Sequence, residues 1–218
     1  ALALLAAAVC SSAQETEAAP IYQGRRIANV MSYHGAPWLE RDTREQEETP
    51  AALLAKLALR PGQKVADLGC GSGFYSRRMA RLVAPEGMVY AVDIQPEMLR
   101  ILEAGAHEEG ITNIVPILGE TDDPKLPPGA IDWILLVDVY HELQQPEPVL
   151  AKMREALAPG GRVALVEFRL EGDTARQIKI EHRMSVEQVL AEWEPAGFDL
   201  VELWEELPMQ HLFIFKRK

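Results

Sequence analysis

Seven residues constrain this chain more than any others: Asp67, Leu68, Gly69, Cys70, Gly71, Ser72 and Gly73, with an apolar run just before them and a helical pattern just after. Glycines crowded between a strand and a helix let the backbone turn sharply and come close to a ligand. The free N–H groups at the start of the helix then point at that ligand. A turn of this kind belongs at the C-terminal edge of a parallel sheet, so strands and crossover helices should alternate around it.

From about residue 48 onward they do. Thr49 and Pro50 open a helix with Leu53, Leu54, Leu57 and Ala58 on one face, stopped by Pro61 and Gly62. Strands are predicted at 64–68, 88–93, 113–118, 131–139 and 162–168. Between them lie helical patterns carrying Tyr75, Met79, Leu82 and Val83, then Met98, Leu99, Leu102 and Ala106, then a helix started by Pro146 and Pro148. The run 131–139 is nearly all apolar, as a central parallel strand buried on both faces must be. A helix at 186–194 follows, then strands near 200–204 and 211–215 whose short connection predicts an antiparallel hairpin. With 48% hydrophobic residues in 218, there is material for one large core.

The ligand of the glycine turn can be narrowed. Asp93, at the end of the second strand, is placed to accept hydrogen bonds from a ribose diol. After Gly69 and Gly71, the third glycine of a dinucleotide loop would stand where Phe74 is, which weakens a nicotinamide oxidoreductase. No Gly-Lys-Ser or Gly-Lys-Thr ending is present, which removes a P-loop NTPase. An adenosine-bearing ligand remains. The formal charge of −11 repels polyanions, so nucleic acid is not an expected partner. Cys10 and Cys70 give no disulfide framework, and a buried thiol beside a ligand loop reads as packing.

Taken in order, the loop 67–73, the Ala91-Val92-Asp93-Ile94 strand end, residues 119–123, residues 138–142 and residues 157–161 resemble class I S-adenosylmethionine-dependent methyltransferases, from about residue 49 to the C-terminus. The resemblance implies a Rossmann-like α/β fold, a mostly parallel seven-stranded sheet with an antiparallel C-terminal hairpin. It implies S-adenosylmethionine as cofactor. Carried over residue by residue, it places Asp67, Gly69, Gly71 and Gly73 at the methionine end, Asp93 at the ribose with Ile94 against the base, and Thr121 or Asp122 beside the adenine amine. Glu120 stands where an Asp often follows the glycine, so the adenine contact is open among residues 120–123.

Methyl transfer from a sulfonium is an in-line displacement, so the enzyme must position the acceptor and, for a hydroxyl or ammonium, remove a proton. Asp138, Tyr140, His141 and Glu142 follow the fourth strand. His141 is the expected base, because its ordinary pKa of about 6.5 lies near neutrality, with Asp138 or Glu142 orienting it. No metal is expected. Asp138 and Glu167 match the Mg²⁺ carboxylates of catechol-type O-methyltransferases only loosely, with His141 or His182 as a third ligand. The acceptor is expected to be a small molecule, since the Asn-Pro-Pro-Tyr type of base-flipping motif is absent after the fourth strand. The alternative of another class is an exported protein that binds S-adenosyl compounds without turnover.

Residues 1–9 are only Ala, Leu and Val, too few to cross a bilayer, which takes about 20. They match the apolar core of a signal peptide, and Ser11, Ser12 and Ala13 suit cleavage before Gln14. Cys10 offers a lipoprotein site, against which stands the bulk of Val9. The domain reading is a signal at 1–13, an extension at 14–48 able to lid the site, and the methyltransferase domain at 49–218. Export to the periplasm or medium follows if 1–13 is a signal; a plain tail on a cytoplasmic protein is the alternative. No membrane-spanning segment is expected in the mature chain. The mixed charges at 40–48 read as a solvated helical face, and residues 169–184 as a second loop over the acceptor.

Overall fold

The computed structural model describes residues 20–218, so the expected signal at 1–13 lies outside the described residues. Strands β1 (Lys64–Leu68), β2 (Met88–Asp93), β3 (Ile114–Leu118), β4 (Ile131–Val137), β5 (Leu157–Arg169), β6 (Phe198–Trp204) and β7 (Gln210–Arg217) form one sheet in the order β3-β2-β1-β4-β5-β7-β6. The first five run parallel, and β7 lies antiparallel between β5 and β6. This is the Rossmann-like arrangement expected. An eighth strand of two residues, Arg183–Met184, adds to it at the C-terminal end of β5.

Strand β5 is longer than predicted. Pro159, Gly160 and Gly161 read as breakers, yet Ile131 pairs Leu157 and Trp133 pairs Arg162. Left-handed Gly160 absorbs the extra residues as an irregularity, and the pairing continues on both sides of it.

Helices α1 (Pro50–Leu57), α2 (Phe74–Val83), α3 (Pro96–Glu108), α4 (Pro146–Ala156) and α5 (Val186–Trp193) cover the sheet. On one face Leu53, Leu57, Phe74, Met79 and Val83 pack on Val65, Val89, Leu212 and Ile214. On the other, Leu150, Met153, Trp193 and Phe198 pack on Ile134, Phe213 and Phe215, with the Trp193 and Phe215 rings stacked at 4.5 Å. Each of these large side chains contributes about 1.5–3 kcal/mol by leaving water.

Connectivity creates the site. Strand β1 has β2 on one side and β4 on the other, so the segments leaving β1 and β4 diverge and open a crevice at their C-terminal ends. The extension crosses this crevice as a strap. A hairpin, Ile21–Tyr22 with Arg25–Arg26, is clamped by the Arg25 guanidinium donating to both oxygens of buried Glu192, at 2.7 and 3.2 Å. The Tyr140 hydroxyl donates to the same carboxylate at 2.7 Å. Farther along, the Met31 N–H donates to Glu142 at 3.3 Å, the Tyr33 N–H to Gln95 at 2.9 Å, and Arg77 to Glu40 at 2.9 Å.

The solvated face expected at 40–48 is corrected here. In the short helix Arg44–Glu48 both terminal residues are buried, 5% and 2% exposed, and Arg44 donates to Glu48 at 2.8 Å. The Arg44 guanidinium also lies over the Phe74 ring at 4.3 Å. Charges spaced i, i+4 look the same in sequence whether water or an aromatic ring lies beyond them.

Candidate functional site

The loop after β1 is tied down by backbone groups. The N–H groups of Gly69 and Cys70 both donate to the Val92 carbonyl, and the Gly71 N–H donates to Asp93 Oδ2 at 2.9 Å. Asp93 Oδ1 accepts from the Gln95 N–H, also at 2.9 Å. One carboxylate thus holds the loop and the start of the next helix while bordering a cavity of about 400 Å³. That volume falls within the usual range of small-molecule sites, about 300–1,000 Å³. Gly71 also borders it, with φ +52°, and a Cβ there would lie 2.6 Å from Leu39 Cδ1 of the strap. A side chain at this position would fill the space between loop and strap.

Gly69, Gly71, Asp93, Ile94, Thr121, Asp138, His141 and Glu142 border this same cavity. Asp67, Gly73 and Asp122 are not on its wall. Asp67 lies behind the loop, where the Ser76 hydroxyl donates to it at 2.5 Å and burial lifts its pKa to about 6 despite that bond and nearby Arg44. Gly73 faces Leu102 of α3. Asp122 is exposed, while Glu120 joins Thr121 on the wall and Gln145 donates to the Thr121 hydroxyl at 3.0 Å. Burial pushes the Cys70 thiol pKa up, consistent with a packing role.

Across the cavity from the loop, a one-turn helix, Tyr140–Glu142, carries the expected base. His141 Nδ1 is 2.5 Å from Glu167 Oε2, and Glu167 Oε1 accepts from the N–H groups of Tyr140 and His141 at 2.8 and 3.3 Å. The orienting carboxylate is therefore Glu167, neither Asp138 nor Glu142. Glu167 stands inside β5, where strand alternation alone does not reveal which way a lone acid points. Burial would lower the His141 pKa, but the charge and hydrogen bond of Glu167 outweigh it and the net shift is upward. His141 Nε2 faces His182 Nδ1 at 3.0 Å, and the His182 pKa is lowered by burial and by His141. Burial raises Glu142 to about 7.

Asp138 is held at φ +53°, a left-handed conformation uncommon outside glycine. Its Oδ2 accepts from Gln210 at 2.7 Å, and its Oδ1 is buried with no partner among the described residues. Burial, then the nearby acids Glu48 and Glu167, raises its pKa well above the carboxylate range. An orphaned acceptor costs about 1–3 kcal/mol, and together with backbone strain it marks a place shaped for a ligand.

The sequence reading did not place Arg44, Glu48, Phe168 or Gln177 at this cavity, although all border it. For Gln177 the signal is in the sequence, since residues 169–184 read as a loop over the acceptor, whereas Phe168 ends the strand before it.

The chain matches the family described as "Methyltransferase domain" over residues 59–209. It is 32% identical over 117 residues to the "Uncharacterized 37.1 kDa protein in transposon TN4556" of Streptomyces fradiae, covering 54% of this chain and 33% of that one. It is 30% identical over 115 residues to the "Ubiquinone/menaquinone biosynthesis C-methyltransferase UbiE" of Cupriavidus taiwanensis, covering 53% and 47%. These matches span half or less of the curated relatives' own length. Among solved structures, a SAM-dependent methyltransferase from Aquifex aeolicus superposes with a TM-score of 0.78 at 24% identity, over 85% of this chain and 98% of that one, which shows a shared fold.

Proposed function

This chain belongs to the methyltransferase-domain family, and on that premise we propose that it transfers a methyl group from S-adenosylmethionine to a small-molecule acceptor. The observation that carries the reading is Asp93, which braces the glycine loop through the Gly71 N–H while presenting its carboxylate to the cavity. The residues present suit the cofactor. Gly69 and Gly71 leave the wall beside the loop free of side chains, and Ile94 and Met98 offer apolar surface to a base. When bound, S-adenosylmethionine supplies the electrophilic methyl on its sulfonium.

In this reading Asp93 accepts from the ribose hydroxyls and Ile94 covers the base. Thr121, held by Gln145, and Glu120 stand at the adenine end. Asp67 acts from beneath the loop, through Ser76. His141, oriented by Glu167, accepts the acceptor's proton at Nε2, and Asp138, whose Oδ2 is taken by Gln210, leaves the Oδ1 of its carboxyl group free to hydrogen-bond a ligand. Met31, Trp38, Leu39, Phe168 and Ile178 give the acceptor end apolar walls. These suit a flat, lipophilic acceptor, in keeping with the likeness to ubiquinone/menaquinone C-methyltransferases.

Melting the protein with S-adenosylmethionine, S-adenosylhomocysteine or NADH tests the cofactor. A ligand at a hundredfold excess over its Kd stabilises the folded state by about 2.7 kcal/mol. Both S-adenosyl ligands should raise the Tm of the wild type, and Asp93→Ala should lose the shift. Absence of any shift in the wild type overturns the reading. A shift without turnover of any acceptor would return the protein to the class of non-catalytic binders.

A further inference from the structure

We propose that His141, Glu142 and His182 form a binding site for one divalent ion of the zinc class, open on its cavity side. His141 Nε2, His182 Nδ1 and Glu142 Oε1 lie 3.0, 3.7 and 3.9 Å from one another. The centre of a triangle with those sides is about 2.1 Å from each corner, and Zn–N and Zn–O bonds are about 2.0–2.2 Å. An ion therefore fits without moving the ligands. Two imidazoles and one carboxylate, with a further position left open, are also the donor set of catalytic zinc centres. Mg²⁺ and Ca²⁺ take oxygen ligands instead.

A hydrogen bond between the two rings explains less. One shared proton would satisfy both histidines, yet Glu142 Oε1 would still have no donor within hydrogen-bond distance among the described residues. The surroundings are built for ligation as well. With Glu167 on Nδ1, His141 keeps its proton there and turns a bare Nε2 toward His182, the carboxylate–histidine arrangement that orients metal ligands. His182 ends the one-turn helix Ile180–His182, and the next two residues are the small eighth strand, pinned to β5 through Phe168 and Arg183. That strand gives the returning segment a fixed register, so His182 reaches His141 on a rigid element.

The role of the ion rests on the proposed function; its binding does not. With the ion in place His141 serves as a ligand rather than as the base. An acceptor oxygen or sulfur in the open position would then bind as its anion, its proton passing to solvent.

The test is a titration of the untagged full chain with Co²⁺, read by the visible ligand-field bands, and with Zn²⁺, read by calorimetry. One ion per chain is expected. His182→Ala should weaken binding by about a hundredfold or more and Glu167→Gln by about 10–100-fold, with His34→Ala unchanged. His182 is only half-buried, and the melting shift with S-adenosylhomocysteine reports that each variant is folded. A wild type that shifts with S-adenosylhomocysteine but takes up neither ion overturns the site and leaves the methyltransferase reading standing. Ion uptake without that shift supports the site and overturns the reading. Uptake undiminished in His182→Ala overturns the site.

Discussion

Asp67 holds a carboxyl group out of water beneath the glycine loop, where the Ser76 hydroxyl and the nearby Arg44 charge offset only part of the cost of burial. Its folded pKa of about 6 lies above the ordinary 3.8, so the folded state binds the proton more tightly than the unfolded one. The sign follows from linkage. Stability from this group is fully present below about pH 4 and is lost as the pH rises toward 6, by on the order of 3 kcal/mol. Asp67→Asn should therefore raise the Tm of the ligand-free protein at pH 7.5 and change it little at pH 4, as read by thermal melts at both values. A variant equally stabilised or destabilised at both would show that the carboxyl is not strained by burial. Of the residues singled out from sequence alone, Asp93 and His141 were legible because strand ends at a switch point aim side chains into the crevice. Glu167 is singled out in sequence only as a loose match to a metal carboxylate, and its role as the partner of His141 is not legible there, because the two approach only after β4 and β5 have paired.

Elements with a strong period were the most legible. The strands of the parallel sheet and helices α1 to α5 follow from apolar runs and proline starts, with boundaries moved by a few residues. What escaped was the strap and its neighbours: a hairpin of two-residue strands, a one-turn helix and a two-residue eighth strand are too short to carry any period. Their stability comes from tertiary partners such as Glu192 and Gln95. The helix Arg44–Glu48 shows this most sharply, because the charges at its two ends, Arg44 and Glu48, are part of the interior. Buried Glu48 accepts from Arg41 as well as from Arg44, and a hydrogen bond to a charged group contributes about 1.5–3 kcal/mol. Arg44→Ala, which leaves Arg41 as the remaining partner, should cost that much in urea unfolding, and Arg44→Ala with Glu48→Leu should recover part of it. A surface pair would give less than about 1 kcal/mol for the single change.

At the scale of the molecule, an acidic surface surrounds an apolar crevice closed by a strap that contacts the ends of β1, β2 and β4. No helix among the described residues is long and apolar enough to cross a membrane. The ends of the described chain are joined to the middle. Arg25 donates to the His141 carbonyl at 3.2 Å, and β7 occupies an interior place in the sheet. Deleting residues 210–218 should therefore leave β5 and β6 with unpaired inner edges, and the product should aggregate instead of melting cooperatively, as read by light scattering during a thermal ramp. A soluble, cooperative product would show that the parallel half of the sheet folds independently. The position of β7 also has a temporal side. Among the strands of this sheet it comes last in sequence but lies inside in space, so a growing polypeptide presents the open edge of β5 for as long as β7 is still unsynthesised. The cofactor half can form during translation, whereas the sheet closes only after β7 has emerged, which makes the interval between the synthesis of β5 and that of β7 the one in which a chaperone has most to protect.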